Sequence, residues 1–322
     1  MKALVTGGTG FIGRHVVDVL LRRGDDVTAL VRSERRAAHL IQKGVKLVVG
    51  DLHDASAMAS ATAGQDVVFH VAGLIAARDE AEFHYANRDG TQNLLAASLQ
   101  AQIGRFILVS SLAAAGPSRP GQPLRGTEDP RPVTAYGRSK LAAEVAVRVA
   151  AIDWTIVRPP IVYGPWDREV LKLFQVARLG FAPVFGSGDQ ELSAVYGPDL
   201  AEALVAVATT EGTTGRTYFA CHPDRFTSQQ LIECIGSALG KRIRPLHLPP
   251  GLARPLLRVT GTFALLTGRR TVLNPDKANE FFQPAWTADP EALTQETGWQ
   301  ARHDLAAGLA ATAAWYRDTG WL

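Results

Sequence analysis

Tyr136 and Lys140 stand four residues apart in Tyr136-Gly137-Arg138-Ser139-Lys140, about 25 residues after Ser110-Ser111. On a helix, positions i and i+4 share one face, so a phenol and an ammonium at this spacing can enter one cleft. An ammonium beside a phenol stabilises the phenolate and lowers its pKa from about 10 towards neutrality. Such a phenol can give or take a proton at a substrate oxygen near operating pH. Ser111 ends the apolar run at 105–109 and can hold the same oxygen by a hydrogen bond. Ligands of open parallel sheets gather at the C-terminal ends of strands, where Ser111 would lie. A Tyr and a Lys at this spacing are common on helix surfaces. The serine before them and a glycine-rich turn upstream give this pair its chemical meaning.

That turn is Thr6-Gly7-Gly8-Thr9-Gly10-Phe11-Ile12-Gly13, which follows the first apolar run and opens an apolar-periodic stretch. Gly7 permits the tight turn, Gly10 lets a pyrophosphate approach the backbone, and Gly13 allows close packing of helix on strand. The free N–H groups and partial positive charge at a helix N-terminus then face the phosphates. A dinucleotide is the expected ligand, lying along Thr9, Phe11 and Ile12 as well as the glycines.

The second apolar run ends Leu30-Val31-Arg32-Ser33, with Arg35 and Arg36 behind it. NAD-preferring proteins usually carry an acidic residue at this point, whereas an arginine can pair with the 2′-phosphate of NADP in fork geometry. Arg32 and Arg36 therefore predict NADP(H) preference, with NAD(H) a possible cofactor. The alternative is that these arginines are a solvated helix start. Asp51, in Gly50-Asp51-Leu52, can accept from an adenine amino group or cap the next helix.

The elements that position these groups alternate regularly. Apolar runs at 3–5, 26–31, 45–49, 67–71, 105–109 and 154–157 read as strands buried on both faces. Periodic segments at 12–23, 34–43, 54–63, 90–102 and 135–151 read as the helices between them. Strand and helix in alternation predict a Rossmann-type doubly wound parallel α/β sheet. After about Pro159 the texture turns irregular and proline-rich, although 199–210 reads as a helix and 216–220 as a strand. The expected division is a dinucleotide-binding domain over 1–165, rejoined by 194–222. A smaller substrate-binding lobe would comprise 166–193 and 223–322.

The chain has 322 residues, 34 basic and 31 acidic, a balance that does not point to nucleic acid. Two cysteines, Cys221 and Cys234, are too few for a disulfide framework or a cysteine-rich metal site, and no histidine pair has metal-ligand spacing. Both thiols are expected reduced, in a cytoplasm. The stretch 252–267 is greasy but carries Arg254, Pro255, Arg258 and Gly261, so no membrane span is expected. It reads as a helix over the substrate cleft or a core, in preference to a membrane-surface helix.

Taken together, these motifs resemble the extended short-chain dehydrogenase/reductase family, the NAD-dependent epimerase/dehydratase group. Besides the motifs above, the resemblance covers His70-Val71-Ala72-Gly73, the segment Asn87-Arg88-Asp89-Gly90-Thr91, Arg158-Pro159-Pro160-Ile161-Val162-Tyr163-Gly164-Pro165 and Asp199-Leu200. It implies Ser111, Tyr136 and Lys140 as catalytic, with Lys140 also on the nicotinamide ribose. It implies Val71, Ala72 and Gly73 along the cofactor, together with Asp51 and Leu52, and Pro159 and Val162 near the carboxamide. His70 and Asn87 are read as structural. The resemblance also suggests a homodimer through the helices at 90–102 and 135–151.

Departures from the family pattern narrow the reaction. The sugar-diphosphate arginine expected after a Gly-x-Gly segment is replaced by about Leu192, and the Asp-Glu pair of sugar dehydratases is replaced by Leu112-Ala113-Ala114-Ala115. The chain is most similar to the branch of dihydroflavonol reductases and 3β-hydroxysteroid dehydrogenases. The expected reaction is therefore reduction of a fairly hydrophobic ketone or aldehyde, or oxidation of the corresponding alcohol. An NAD-dependent sugar or sugar-lipid epimerase is the alternative. Leu112, Trp166 and Tyr196 are the candidate substrate contacts.

Overall fold

Short runs that are apolar on both faces become neighbouring strands of one parallel sheet. The structure, a computed structural model, describes residues 1–267 and 270–322, with 264–266 described by their helical backbone alone. In chain order the first elements are β1 (Lys2–Thr6), α1 (Phe11–Arg22), β2 (Asp26–Val31), α2 (Glu34–Ile41), β3 (Lys46–Val49), α3 (Ala55–Thr62) and β4 (Val67–His70). There follow α4 (Glu80–His84), a π-helical turn (Tyr85–Asp89), α5 (Gly90–Gln100), β5 (Arg105–Val109), α6 (Leu112–Ala115), α7 (Ala135–Arg148) and β6 (Trp154–Arg158).

The second half is more broken. It runs through β7 (Ile161–Tyr163), α8 (Glu169–Ala177), β8 (Phe181–Phe185), β9 (Glu191–Leu192), β10 (Ala194–Tyr196), α9 (Gly197–Thr209), β11 (Arg216–Phe219) and β12 (Phe226–Thr227). It continues with α10 (Ser228–Leu239), β13 (Arg244–Leu248), α11 (Pro250–Leu266), α12 (Ala278–Phe281), β14 (Ala285–Trp286), α13 (Glu291–Thr297) and α14 (Leu305–Asp318).

Seven strands form the main sheet in the order β11-β6-β5-β4-β1-β2-β3. Every pairing within it is parallel. The winding reverses between β1 and β4, and that reversal leaves a crevice at the C-terminal strand ends. Successive side chains of β1 alternate between the two faces: Ala3 and Val5 join one apolar layer, Leu4 the other. The first layer is closed by Val16, Val17 and Leu20 of α1 and by Leu200 and Leu204 of α9. The second is closed by Leu94 and Leu95 of α5 and by Ala143 and Val147 of α7. Both helix faces are dry because the strands are apolar on both sides, as the runs in the sequence required.

A third apolar cluster joins Tyr163, Phe174, Val184, Ile232, Leu309 and Tyr316 from the short sheets and helices of the second half. Trp315 and Trp321 pack beside Tyr316, while Trp299 is buried and donates its indole N–H to the Asp199 carbonyl (3.1 Å). These late tryptophans serve packing.

Candidate active site

The glycine turn lies in the crevice. Gly7 adopts φ +72°, and a Cβ there would sit 2.8 Å from the Ala72 nitrogen. The loops after β1 and β4 therefore touch at backbone level. A Cβ on Gly13 would lie 2.1 Å from the Gly7 carbonyl oxygen, so only glycine lets α1 start this close to β1. Gly10 caps α1 without any side chain bonding its first N–H groups. A glycine cradle beneath an uncapped helix N-terminus fits the diphosphate of a dinucleotide.

A buried polar chain locks these loops together. Thr91 donates to the Asn87 carbonyl (2.6 Å), so its oxygen must accept from His70 Nε2 (2.9 Å). His70 Nδ1 is then the acceptor for the Thr6 hydroxyl (2.7 Å), and Thr6 accepts from the Ala72 N–H (3.2 Å). Burial, reinforced by the nearby Lys140 ammonium, pushes the His70 imidazole down to about 3. It is a neutral structural bridge. Asn87 is another: its amide donates to the Leu74 carbonyl and to Ser139 Oγ, and its oxygen accepts from the Leu74 N–H (2.8 Å).

Ser111 follows β5 and caps α6, its Oγ accepting from the Ala113 N–H (3.1 Å). Its side chain comes near the Tyr136 hydroxyl and acts to lower the phenol. This meeting requires α6 and α7 to approach closely, which Gly137 allows: a Cβ there would lie 2.3 Å from the Ala113 carbonyl oxygen. The Tyr136 ring packs with Phe83 at 5.9 Å and with Leu74, Ala77 and Ala135. Lys140, one turn further along α7, is buried and donates Nζ to the Val109 carbonyl oxygen (2.7 Å). A Cβ on Gly73 would lie 3.7 Å from that Nζ, so the loop after β4 passes directly over the lysine.

The electrostatics correct one expectation. Lys140 does not lower the Tyr136 phenol. Burial raises the phenol to about 12; the nearby Ser111 side chain opposes this and the Glu280 carboxylate adds to it. Burial also pushes the Lys140 ammonium down to about 8, with Glu144 acting against the shift. Desolvation outweighs pairing because the lysine's hydrogen bond goes to a neutral carbonyl. Tyr136 is thus a neutral phenol at neutral pH.

Two features of α7 escaped sequence reasoning. At its head, Asp276 Oδ2 accepts from the Ala135 N–H (2.8 Å), and the capping Thr134 donates to Glu280 (3.0 Å). Carboxylates suit this positive end of the helix. Further along, Glu144 accepts from Ser110 Oγ (2.5 Å) and from Arg158 Nε and Nη2 (2.8 and 2.6 Å), all in the interior. The available signal was a carboxylate four residues beyond Lys140, on the face that the lysine buries.

The remaining candidates divide. Val71 and Ala72 are half-buried at the crevice, and Gly73 is exposed there. Val162 pairs with Val195 beside the sheet, and the Pro159 carbonyl accepts from the Leu112 N–H (2.8 Å). Arg32 and Arg36 are exposed, with no ion pair among the described residues. Thr9 gives its carbonyl to Arg14 Nε, and Phe11 packs on Gly197 at the start of α9. Asp51 is exposed and bonds the His53 N–H; Asp54, not Asp51, caps α3. Leu52 packs on Gly90 at the start of α5.

The three candidate substrate contacts each pack on neighbours within the protein. Leu112 is buried with Phe219, Cys221 and Ala288, because the turn into α6 points it under the sheet end. Tyr196 is buried on Tyr163 and His303. Trp166 lies against Trp315 and Trp321 with the Arg14 guanidinium 4.1 Å from its ring. Of the greasy stretch expected over the cleft, the side chains at 264–266 lie outside the described residues.

Residues 3–221 match the family model of the NAD dependent epimerase/dehydratase family. The chain belongs to that family. This epimerase/dehydratase family member is also similar along its length to characterised proteins. It is 34% identical over 320 residues to a ceramide reductase of Caulobacter vibrioides, covering 99% of this chain and 95% of that one. It is 30% identical to a 4-hydroxy-2-methyl-3-oxo-4-farnesyl-3,4-dihydroquinoline-1-oxide ketoreductase of Stigmatella aurantiaca, over 86% of this chain and 90% of the other. Its fold matches that of MoeE5 solved with UDP-glucose and NAD, with a TM-score of 0.81 and 23% identity over 99% of each chain. The family is one of enzymes that use NAD or NADP, and relatives of this member include reductases.

Proposed function

We propose that this protein reduces a ketone or aldehyde on a fairly hydrophobic small molecule, using NADP(H) in preference to NAD(H). The observation that carries the reading is the close approach of α7 to α6, with Gly137 against the Ala113 carbonyl, which brings Tyr136 and Ser111 together at the sheet end where the dinucleotide crevice opens. Residues 1–165 with 194–222 would hold the dinucleotide, and 166–193 with 223–322 would cover the substrate.

The bound dinucleotide supplies hydride to the carbonyl carbon. Tyr136 gives its proton to the carbonyl oxygen, and Ser111 holds that oxygen while the charge develops. The phenolate left behind regains its proton from solvent. Lys140 and Gly73 would hold the nicotinamide ribose, with Val71, Ala72, Asp51 and Leu52 along the cofactor and Pro159 and Val162 beside its carboxamide. Arg32 and Arg36, free of protein carboxylates, would receive the 2′-phosphate.

The apolar packing of Tyr136 against Leu74, Ala77 and Phe83 favours an uncharged substrate over a sugar diphosphate. So does Leu192, which is buried in β9 and offers no cation. Exposed Leu99 on α5 and Val145 on α7 support a homodimer through these helices. The deciding experiment screens apolar ketones, secondary alcohols and nucleotide sugars with both dinucleotides. Oxidation of NADPH in step with ketone loss supports the reading. Turnover of a nucleotide sugar without net change in the cofactor would sink it.

A further inference from the structure

α11 is apolar on two opposite sides. Ala253, Leu257 and Gly261 face inward at successive turns. Gly261 is pressed onto the following loop, for a Cβ there would lie 2.8 Å from Pro275 Cδ. Thr260 reaches the same loop, donating to the Leu273 carbonyl (2.8 Å). On the other side, Leu252, Leu256, Val259 and Phe263 are 66%, 50%, 66% and 63% exposed. Steps of four, three and four residues place them in one stripe along the helix. Large apolar side chains gathered this way mark a surface that meets something other than water. The helix has 17 residues, or about 25 Å, with Arg254 and Arg258 within it. Among the described residues, no helix is long and apolar enough to cross a membrane.

Charge decides what the stripe meets. Between Cys234 and Pro275 the sequence holds seven lysines and arginines, including Lys241, Arg242, Arg254 and Arg258, and no aspartate or glutamate. The whole chain carries only +3, so the remainder is net acidic and this excess is local. The ladder of β8 and β13 repeats the combination: its register sets exposed Phe181 beside Arg244, two residues before exposed Leu246. Arg270 is paired with Glu82, but Arg254 and Arg258 on the helix itself have no ion pair among the described residues. Apolar side chains beside such free cations match an anionic bilayer, whose phosphates attract the bases while its acyl boundary accepts the apolar groups.

We propose that α11 docks this protein on an anionic lipid surface. The exposed stripe enters the boundary between headgroups and acyl chains, and the basic residues around it pair with lipid phosphates. The docked helix is joined to the candidate active site: Pro275, on which Gly261 rests, precedes Asp276, which holds the head of the Tyr136 helix. Docking is a binding property and does not depend on the proposed reduction.

Flotation of the full chain with vesicles tests it. One set is phosphatidylcholine alone and the other is phosphatidylcholine mixed with phosphatidylglycerol. The wild type is expected to float with the mixed vesicles, little with the neutral ones, and less as salt is raised. V259E/F263E should lower the bound fraction about tenfold, since it places carboxylates where the apolar stripe must insert. Arg258→Glu should weaken binding and Arg258→Lys should retain it. Both glutamates fall on exposed positions; circular dichroism checks the fold, and L252S/L256S reads the same stripe if they unfold the chain. Turnover of a water-soluble ketone should be unchanged in V259E/F263E, which separates a failure of docking from a failure of the chemistry. Equal flotation of V259E/F263E and wild type would overturn the proposal, as would equal binding to both vesicle types or none to either. So would sedimentation showing that V259E/F263E only dissociates a larger species, which would make the stripe a contact between copies.

Discussion

Arg158 meets Glu144 through two parallel hydrogen bonds, Nε to Oε1 at 2.8 Å and Nη2 to Oε2 at 2.6 Å, with both side chains almost wholly withdrawn from water. The pair ties α7 to β6, and Ser110 ties the same carboxylate to the end of β5. Removing one partner leaves the other charged and unpaired in the interior. Glu144→Ala should therefore destabilise the fold by about 3–5 kcal/mol in urea unfolding. E144L/R158M, which removes both charges, should recover most of that loss. A loss in E144A under 1 kcal/mol, roughly the worth of an exposed pair, would mean that water reaches the site.

Tyr136→Phe keeps the ring and its packing on Phe83 but removes the proton. Ketone reduction should fall by about 10²–10⁴-fold in kcat. Dinucleotide affinity should hold, because the phosphate cradle is untouched. Undiminished turnover of an identified substrate would remove Tyr136 from the mechanism.

Lys140 gives a pH dependence of defined sign. Burial holds its ammonium at about 8, below the ordinary lysine value of 10.5. Between these values the unfolded chain binds more protons than the folded one, so this group's contribution to stability rises with pH. Below about 8 the folded protein carries the full cost of a buried ammonium. Lys140→Met should therefore gain stability relative to wild type at neutral pH, and the gain should shrink as pH rises towards 10.5. Its activity should nonetheless collapse, since the ammonium proposed to hold the nicotinamide ribose is gone. Denaturation midpoints and rates across this range read both effects.

Arg32→Ala and Arg36→Ala test cofactor choice. A charge-assisted contact to a phosphate is worth about 1.5–3 kcal/mol, so losing it should lower kcat/KM for NADPH at least about tenfold. NADH kinetics should barely move. An unchanged ratio of the two efficiencies would return these arginines to the solvated helix start that was their alternative.

Gly13→Ala places a methyl group against the Gly7 carbonyl, where 2.1 Å separates the two atoms before any shift. Pushing α1 away from β1 should cost about 1–3 kcal/mol of stability. It should also weaken dinucleotide binding, measured by fluorescence titration. The neighbouring Gly8→Ala is the control, since its Cβ meets only side chains at 3.5 Å or beyond.

Much of the sheet was legible because its strands are apolar on both faces and short, a pattern few other elements share. The apolar runs at 26–31 and 105–109 coincide with β2 and β5. The glycine turn was legible because Gly7 and Gly13 answer steric demands that no other residue meets. The substrate side was not. Sequence put Leu112, Trp166 and Tyr196 on that side but did not show that they pack on Phe219, Trp315 and Tyr163. Periodicity says that a side chain will be buried, not against what. The phenol's upward shift was equally hidden, because spacing brings Lys140 near Tyr136 but does not reveal that the Val109 carbonyl claims the ammonium.

The clasp at the head of α7 has a bearing on how the molecule matures. Thr134 and Ala135 are met by Glu280 and Asp276, more than 140 positions downstream. A nascent chain can assemble most of the parallel sheet while its last quarter is still being synthesised, but the turn that carries Tyr136 lacks its two acidic stops until the tail arrives. Competence for proton transfer would then be among the last properties acquired, well after the dinucleotide crevice is complete.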